Sequence, residues 1–363
     1  MASTDDKPVL KITLEDLAKV ELPAKASAAA AAPAMAGAKQ YGNIAAAAEG
    51  PAVVATEKTP IYLQGWFYLG AAGLLGALIG WAIGEPFYVD GPDRTLGDTL
   101  RSRMIIPLVL IFMCFGFSIA ESIVERSLRK AMRKAALSLP LGLVLAIAFM
   151  IAGDLVYGIG VQLCFAFGVD PRTPEGYNNP AMWLARSIGW MVFASAAGIV
   201  YGLVDRSVRK GKYGVLGAVI GGGIGGLVFN PINMATGSGG PSRAIGFALI
   251  GLAAGVAIGI VESAFKDRWL YAAAGPLAGK QFILYKPLTT LGSSQSCDIY
   301  MFKDSSVLPQ HGVIEMRGAQ TFLRADGPIF VSGAPVRMRA LASGDVIQIG
   351  RYAFHFHERH RNG

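Results

Sequence analysis

The sequence is poor in charged side chains and in cysteine, and each shortage excludes a class of protein. Only 16% of the 363 residues are Asp, Glu, Lys or Arg, whereas a soluble domain carries about 25%. The three cysteines, Cys114, Cys164 and Cys297, fall in separate predicted elements, so no pair among them is plausible. The composition therefore argues against an ordinary soluble protein and against a disulfide-stabilised one.

The N-terminus lacks the features of a signal peptide, because no basic start is followed by an apolar core and a cleavage site. A polar stretch comes first, and an Ala-rich segment with scattered Pro and Gly follows from Ala24 to Thr59. Such a composition cannot bury a core. Residues 1–60 are therefore predicted to be a disordered cytoplasmic tail, in which Leu10–Leu22 is either disordered or a short docking helix.

Catalytic and metal-binding constellations are also missing. No Ser-His-Asp set, phosphate-binding glycine loop or Cys-x-x-Cys pair occurs in its required context, so we predict neither an enzyme nor a cofactor. His355 and His357 alternate onto one strand face near His360, which would allow a metal site. A solvated strand end that runs into a basic tail is the preferred interpretation, and no metal is predicted.

Apolar residues make up 53% of the chain and are concentrated in separate runs. Six runs are long enough to span a bilayer as helices. They cover residues 61–84, 104–124, 137–159, 182–204, 213–234 and 244–264. The fold class is therefore predicted to be an α-helical membrane domain, residues 61–267, followed by an all-β domain, residues 268–363.

Basic residues cluster after the second and fourth runs, at Arg126–Lys134 and Arg206–Lys212, whereas the other connections are acidic, mixed or neutral. Positive loops stay in the cytoplasm, so both termini are predicted to be cytoplasmic in a bacterial inner membrane. The net charge of +8 then matches the anionic inner surface of the membrane, and nucleic acid is not predicted as a partner.

The six runs read as three copies of one helical hairpin. The second run of each hairpin begins with Arg and ends with an acid. These pairs are Arg103 and Glu125, Arg186 and Asp205, and Arg243 and Glu262. Ionisable residues within the runs lie near the ends, where side chains can reach the interface, and no buried charge pair is predicted. Pro231 is predicted to stop the fifth run.

Glycines recur at every fourth position along three runs, a spacing that lets helix backbones approach closely. The stripes are Gly76, Gly80 and Gly84; Gly217, Gly221 and Gly225; and Gly251, Gly255 and Gly259. Packing within the chain is the preferred interpretation. Homo- or hetero-oligomerisation and the wall of a pore remain alternatives.

The last ninety residues, from Leu270 to Glu358, alternate apolar and polar side chains over short segments separated by turns. This pattern predicts a small β-sandwich. The shared-face pairs include Ile283 with Tyr285, and Ile347 with Ile349. The predicted core consists of Ile299, Met301, Val313, Phe322, Val346, Ile347 and Ile349.

A set of spaced residues in this segment resembles the forkhead-associated (FHA) domain, a reader of phosphothreonine peptides. The set comprises Gly292, Cys297-Asp298-Ile299, Asp304, His311, Val331-Ser332-Gly333 and Gly344-Asp345-x-Ile347-x-Ile349-Gly350. The resemblance implies that His311 braces a binding loop. It also implies a phosphate-binding Arg and Ser at the positions that Ser293 and Leu308 occupy here, a second Arg where Pro309 stands, and an Asn in the region of Gly327-Pro328.

Substitute donors are present near those positions. The predicted ligand-binding residues are Ser293, Ser294, Ser306, Gln310, His311 and Arg324. Because the phosphate-binding Arg and Ser are replaced, the domain is predicted to bind phosphothreonine weakly or not at all. The predicted function is a membrane adaptor or scaffold that recruits a cytoplasmic protein or phosphoprotein. A transporter or channel regulated by an FHA-like domain, and a structural subunit of a membrane complex, are the alternatives.

Overall fold

A computed structural model describes residues 59–89, 95–236 and 239–359. The helices are α1 Gly65–Gly84, α2 Leu96–Arg103, α3 Ile105–Val124, α4 Leu128–Ala166, α5 Pro174–Tyr177, α6 Pro180–Val204, α7 Val208–Thr236 and α8 Gly240–Ala264, with short 3-10 helices at Ile61–Leu63 and Glu85–Phe87. The strands are β1 Arg268–Ala274, β2 Gln281–Ile283, β3 Leu288–Gly292, β4 Ile299–Tyr300, β5 Gly312–Arg317, β6 Gln320–Val331, β7 Ala334–Leu341, β8 Val346–Ile349 and β9 Tyr352–Glu358. The predicted tail, except its last two residues, and His360 lie outside the described residues.

Six helices of the described chain are long and apolar enough to cross a membrane, judged by length and composition. They are α1, α3, α4, α6, α7 and α8, one for each run found in the sequence. An uninterrupted backbone hydrogen-bond ladder is the form that an apolar segment of about twenty residues takes when it cannot bond to water. The helical half of the predicted fold class is therefore present.

Four helices, α4, α6, α7 and α8, extend beyond the predicted runs, and α4 does so the most. The basic segment after α3 forms the first turns of α4, which starts at Leu128 and is 39 residues long. That segment contains Arg, Lys, Ala, Met and Leu, all strong helix formers. The predicted stop at Pro231 is wrong, because α7 continues to Thr236. Packing of α7 along both α6 and α8 holds the helix across the one backbone hydrogen bond that proline cannot make.

The long helices form a closed ring. Each packs against the next along the chain, from α1 through α3, α4, α6 and α7 to α8, and α8 packs back against α1. Inside the ring, α3 also contacts α6. Fully buried side chains at the centre include Phe117, Val200 and Tyr201. Consecutive hairpins therefore share one core.

The glycine stripes supply the contacts between neighbouring helices. A Cβ atom on Gly73 would overlap the carbonyl oxygen of Gly251, where α1 crosses α8. Likewise, a Cβ on Gly80 would overlap Val109 of α3, and one on Gly221 would overlap the backbone of α8. Such close approach of backbones is what small residues allow. All three stripes are thus used for packing within the chain.

The nine strands form one sheet that curls on itself, with the order β2-β1-β9-β8-β6-β5-β3-β4 and β7 paired to β6. The pairs are antiparallel except for β3 and β4. Ile299, Met301, Val313, Ile347 and Ile349 of the predicted core are buried, whereas Phe322 and Val346 are half-buried. Other residues of the core include Leu323, Phe354 and Phe356. The β half of the predicted fold class is also present.

Residues 282–285, in and just after β2, alternate between the β core and the side of the domain that faces the helices. Phe282 and Leu284 fill the β core, while Ile283 and Tyr285 are half-buried and line a cavity between this domain and the helices. Only three residues join α8 to β1. The β domain is therefore seated directly against one end of the helical ring.

Candidate functional site

Three segments of the β domain meet to form one face, which we call the recognition face. They are the β3–β4 loop, the segment between β4 and β5, and a bend within β6 at Asp326–Pro328. The backbone N–H groups of Ser293 and Ser294 donate to the carbonyls of Leu308 (2.9 Å) and Pro309 (3.1 Å). At the other side, the N–H groups of Asp326 and Gly327 both donate to the His311 carbonyl at 2.9 Å.

His311 lies beneath the recognition face and is 1% exposed. Its Nδ1 accepts a hydrogen bond from the Leu308 N–H at 3.0 Å, and its Nε2 lies 2.9 Å from the Pro328 carbonyl oxygen. An Nε2–H that donates to this carbonyl leaves Nδ1 free to accept, so one neutral tautomer satisfies both contacts. The imidazole thereby ties the β4–β5 segment to the bend in β6.

Ser293 and Ser294 lie where a peptide-contacting loop would present its donors. The Ser294 hydroxyl is 2.7 Å from the Ser296 hydroxyl and accepts from the Ser296 N–H at 3.2 Å. Both residues are half-buried. The loop thus offers hydroxyl groups to a ligand, but no side-chain cation.

Gln310 and Arg324 are brought together by a third residue, Asp326. The Gln310 amide donates to Asp326 Oδ2 at 3.2 Å, and Arg324 Nε lies 3.7 Å from Asp326 Oδ1. All three side chains are exposed. A phosphate that approached Arg324 would therefore also meet a carboxylate, which weakens the attraction. The sequence did not predict that Asp326 would contact Gln310 and Arg324, because these contacts depend on the bend in β6.

Ser306 is held away from this trio by the β8–β9 turn. Its hydroxyl and its N–H both donate to Asp304 Oδ1, at 2.7 and 3.0 Å, and the Arg351 N–H donates to Asp304 Oδ2 at 2.7 Å. Desolvation would raise the pKa of Asp304, but these hydrogen bonds hold it below its ordinary value. The structure therefore places Ser306 in a separate hydrogen-bonded turn.

The β3–β4 loop also contacts the helices. Gln295 Oε1 accepts from the Arg129 N–H of α4 at 3.0 Å, and Lys130 donates to the Asp298 carbonyl oxygen at 2.6 Å. The Asp298 carboxylate accepts from Lys286 at 2.8 Å and from Thr290. Desolvation raises the pKa of Asp298, yet the Lys286 and Thr290 hydrogen bonds prevail and lower it overall. The recognition face thus adjoins the helical domain.

A buried ion network joins the two domains. Glu125 accepts from Lys280 of the β domain at 2.7 Å and from Lys130 of α4 at 3.1 Å. Glu125 is 4% exposed and Lys280 1%. Because both lysines share one carboxylate at a buried site, removal of Glu125 would leave two buried cations.

The network continues into the helical domain. Lys134 lies 2.7 Å from Asp205 Oδ1, and Lys210 bonds both Asp205 and Glu121, the latter at 2.8 Å. The expectation that the chain has no buried charge pair is therefore wrong. Side chains that were predicted to reach water at the helix ends are instead covered by the β domain.

A signal for this network was present in the sequence. The segments Glu125-Arg126-Ser127-Leu128-Arg129-Lys130 and Asp205-Arg206-Ser207-Val208-Arg209-Lys210 match, with an acid and a lysine at the same spacing. Both lysines bond the acid of their own segment. Lys280 gives no such signal, because its partner lies 155 positions away.

Glu262 completes the buried cluster. Its Oε2 accepts from the Tyr201 hydroxyl at 3.3 Å. Burial raises the pKa of the nearby Tyr285 hydroxyl, and the charge of Glu262 raises it further. Beside this cluster, a cavity of about 340 Å³ is lined by Lys130, Lys210, Tyr285 and Asp298, among others. A polar cavity thus lies within the contact between the helix ends and the β domain.

A candidate metal site is not assembled among the described residues, in which no group of three His, Cys, Asp or Glu side chains converges. The ring of His357 stacks on Trp269 at 5.2 Å, and the ring of His355 lies 6.3 Å from Tyr271. Burial and the positive charge of Lys266 lower the pKa of His357. These histidines pack on β1.

The fold and the site geometry can now be compared with known proteins. The family model of the FHA domain matches residues 289–350. The β domain is an FHA domain. Glycogen accumulation regulator GarA of Mycolicibacterium smegmatis is 32% identical over 85 residues, which are 23% of this chain and 53% of GarA. The chain therefore spans about half the length of this curated relative.

Solved FHA domains cover the same region. The FHA domain of the CT664 protein from Chlamydia trachomatis is 22% identical, with 26% of this chain and 99% of that chain covered and a TM-score of 0.24. The FhaA FHA domain, crystallised with the intracellular domain of Rv3910, is 24% identical over 24% of this chain and 98% of that one, with a TM-score of 0.22. FHA domains are recognition modules, so the C-terminal domain serves protein–protein interaction.

Proposed function

We propose that this chain is a membrane adaptor in which a six-helix domain, residues 61–267, anchors a cytoplasmic FHA domain, residues 268–363. The apolar helices support membrane insertion, and the FHA match supports recognition of a cytoplasmic protein or phosphoprotein. The adaptor has no catalytic role in this proposal. Its task is to hold a partner at the inner surface of a bacterial membrane.

One observation carries the proposal, namely the seating of the recognition face beside the helix ends. Glu125 binds Lys130 and Lys280 at once, and Gln295 of the β3–β4 loop binds Arg129. With only three residues between α8 and β1, the domain lacks a flexible tether. A partner on this face would sit against the helical domain and could contact both domains.

The proposal includes both termini in the cytoplasm. Basic residues lie at the FHA end of the ring, where Arg126 and Arg206 are exposed, as the positive-inside rule requires for the cytoplasmic end. Reporter fusions after Lys130 and Lys212 should be cytoplasmic, and a fusion after Glu175 should be external. A cytoplasmic signal after Glu175 would refute this orientation.

The proposal also includes a threefold hairpin repeat. The closed ring supports it, and so do the matching turns after α3 and α6. Arg126 and Arg206 both adopt positive φ, at 54° and 51°. The Ser127 N–H donates to Ser122 O at 3.0 Å, and the Ser207 N–H donates to Gly202 O at 3.0 Å. The third hairpin ends at Glu262, close to the point where the chain enters β1.

Recognition by this face is proposed to depend little on phosphate. The family's Arg is Ser293 here, and loss of a charge-assisted hydrogen bond costs roughly 1.5–3 kcal/mol. Leu308 stands at the position of the family's Ser, and the missing hydroxyl costs about 1 kcal/mol more of binding free energy. Together these losses weaken phosphothreonine binding on the order of a hundredfold. The proposed contacts are Ser293, Ser294, Gln310 and Arg324, with His311 as the brace and Ser306 at the margin.

Site-specific photocrosslinking in intact cells tests the adaptor role. A photoreactive residue at Gln310 lies on the recognition face, whereas one at Gln320 lies at the opposite end of the β5–β6 ladder and is equally exposed. We expect a protein crosslinked from position 310 and none from position 320, in the membrane fraction. Replacement of Ser294 and Arg324 by alanine should abolish that crosslink. Equal crosslinking at both positions would refute the proposed face.

A further inference from the structure

One arginine at the end of the helical ring opposite the FHA domain has no ionic partner among the described residues. Each hairpin has an arginine near the start of its second long helix, and two of the three are paired. Arg103 Nη1 lies 3.3 Å from Asp154, and Arg243 Nε donates to Glu85 at 3.0 Å. Arg186 of α6 has no carboxylate within ion-pairing distance in the part of the chain that the structure describes. The repeat therefore predicts an acidic partner for Arg186, and the described residues do not supply one.

The guanidinium of Arg186 lies among three aromatic rings and borders a cavity. Its central carbon lies 4.8 Å from the ring centre of Tyr177 and 5.8 Å from those of Tyr157 and Phe229. Nη2 makes one long hydrogen bond, 3.5 Å, to the Tyr157 hydroxyl. Nη1 is buried and has no hydrogen-bond partner among the described residues. An unmet charged donor of this kind is unfavourable unless a ligand satisfies it.

Arg186 borders a cavity of about 480 Å³ that opens at this end of the ring. Its floor is aromatic. The Trp190 ring lies 5.4 Å from Phe193, 6.3 Å from Phe229 and 5.9 Å from Phe247. Volume, an aromatic wall and a charged group without a described partner are features of a small-molecule site. The ion-paired residues Arg103, Asp154 and Arg243 also line this cavity.

We infer that this cavity binds a small organic carboxylate with an apolar body. The carboxylate would accept from the Arg186 guanidinium, whose Nη1 has no partner among the described residues, since planar carboxylates match its geometry. The apolar body would pack on Trp190 and Phe247. A single negative charge fits because Arg103 and Arg243 are already paired with Asp154 and Glu85. A phosphate dianion would exceed the one free charge and face Asp154.

Calorimetric titration of the full-length protein in detergent tests this inference. Benzoate is the probe, benzamide is its neutral counterpart of the same shape, and benzylammonium reverses the charge. We expect benzoate to bind at least tenfold more tightly than benzamide, and benzylammonium not to bind. Equal binding of benzoate and benzamide would overturn the inference, and so would the absence of benzoate binding up to about 10 mM.

Variants locate the binding energy. Arg186→Gln should remove the preference for benzoate, and Arg186→Lys should retain part of it. Arg209→Gln, which changes an exposed arginine at the FHA end of the ring, should alter affinity less than threefold. A preference that survives Arg186→Gln would overturn the assignment. If Arg186→Gln does not fold, the comparison of benzoate with benzamide on the wild type still decides. Decanoate that displaces benzoate would indicate a lipid-derived acid, and decanoate that does not would indicate a soluble one.

Discussion

The interdomain network and the recognition face contain the same kinds of residue but differ in exposure. In the network, Glu125 and Lys280 are 4% and 1% exposed and lie 2.7 Å apart. On the recognition face, the side chains of Arg324 and Asp326 are 58% and 36% exposed and lie 3.7 Å apart. Water can replace the partner of an exposed ion, whereas a buried ion that loses its partner stays desolvated.

This difference assigns the two regions different roles. The network holds the FHA domain on the helices, because Lys280 bonds Glu125 and Lys130 bonds the Asp298 carbonyl oxygen across the contact. The recognition face contributes little to folding, and its weakly paired side chains can exchange partners when a protein binds. We therefore propose that the same charge types serve structure at one site and recognition at the other.

Removal of the shared carboxylate should give the largest effect. Glu125→Gln leaves Lys130 and Lys280 buried with a neutral partner, and we expect a loss of about 3–5 kcal/mol. Because the network links the domains, the loss should appear as a lower unfolding temperature and as faster proteolysis at the α8–β1 connection. Glu315→Gln is the control, since Glu315 pairs with Arg317 on the surface, and it should cost less than about 1 kcal/mol.

A triple replacement separates charge from packing in the same network. Glu125→Leu with Lys130→Leu and Lys280→Met removes all three charges and keeps the apolar volume. Buried ion pairs replaced in this way are often neutral in stability, so the triple variant should be more stable than Glu125→Gln alone. A triple variant as unstable as Glu125→Gln would show that the buried charge left by the single change is not the cause.

Acidification should loosen the loop that lies between the two regions. The folded-state pKa of Asp298 lies below its ordinary value, so this carboxylate stabilises the fold at neutral pH. Its contribution should decline as the pH falls below about 4 and the carboxylate takes up a proton. Asp298→Asn should cost about 1–2 kcal/mol at pH 7 and flatten this part of the pH profile. Thermal unfolding of the wild type and of Asp298→Asn from pH 3 to 7 measures this contribution. Parallel pH profiles of the two unfolding temperatures would contradict a stabilising role of the Asp298 carboxylate.

A smaller effect is expected on the recognition face. Asp326→Asn removes the carboxylate beside Arg324 and Gln310, so phosphothreonine peptides should bind roughly threefold to tenfold more tightly with little change in stability. Calorimetric titration of the full chain, with phosphorylated and unphosphorylated peptides, provides the measurement. Micromolar phosphate-dependent binding by the wild type would show instead that Ser294 and Arg324 rebuild the family's site.

Much of the architecture was accessible from the sequence because it depends on local patterns. The six apolar runs, the glycine stripes and the alternation of Ile347 and Ile349 each reflect a periodicity that the chain itself displays. Helix ends were less predictable. The basic segment after α3 was interpreted as a loop, although its residues favour helix and it begins α4.

The interdomain contacts could not be predicted, because they join residues distant in sequence. Ile283 and Tyr285 were correctly placed on a common face, but only the packing of the domain shows that this face meets the helices. Nothing in the sequence around Lys280 indicates its contact with Glu125, which lies 155 positions away. The contact of Asp326 with Gln310 likewise depends on the tertiary structure, namely the bend in β6.

The distance between the two domains in the intact protein tests the central claim most directly. Spin labels at Met132 of α4 and Gln320 of the FHA domain, both exposed, can be introduced after the three buried cysteines are replaced. Pulsed electron paramagnetic resonance should give a single narrow distance distribution, which Glu125→Gln broadens. A wild-type distribution as broad as that of Glu125→Gln would contradict the claim that the buried network fixes the FHA domain on the helices.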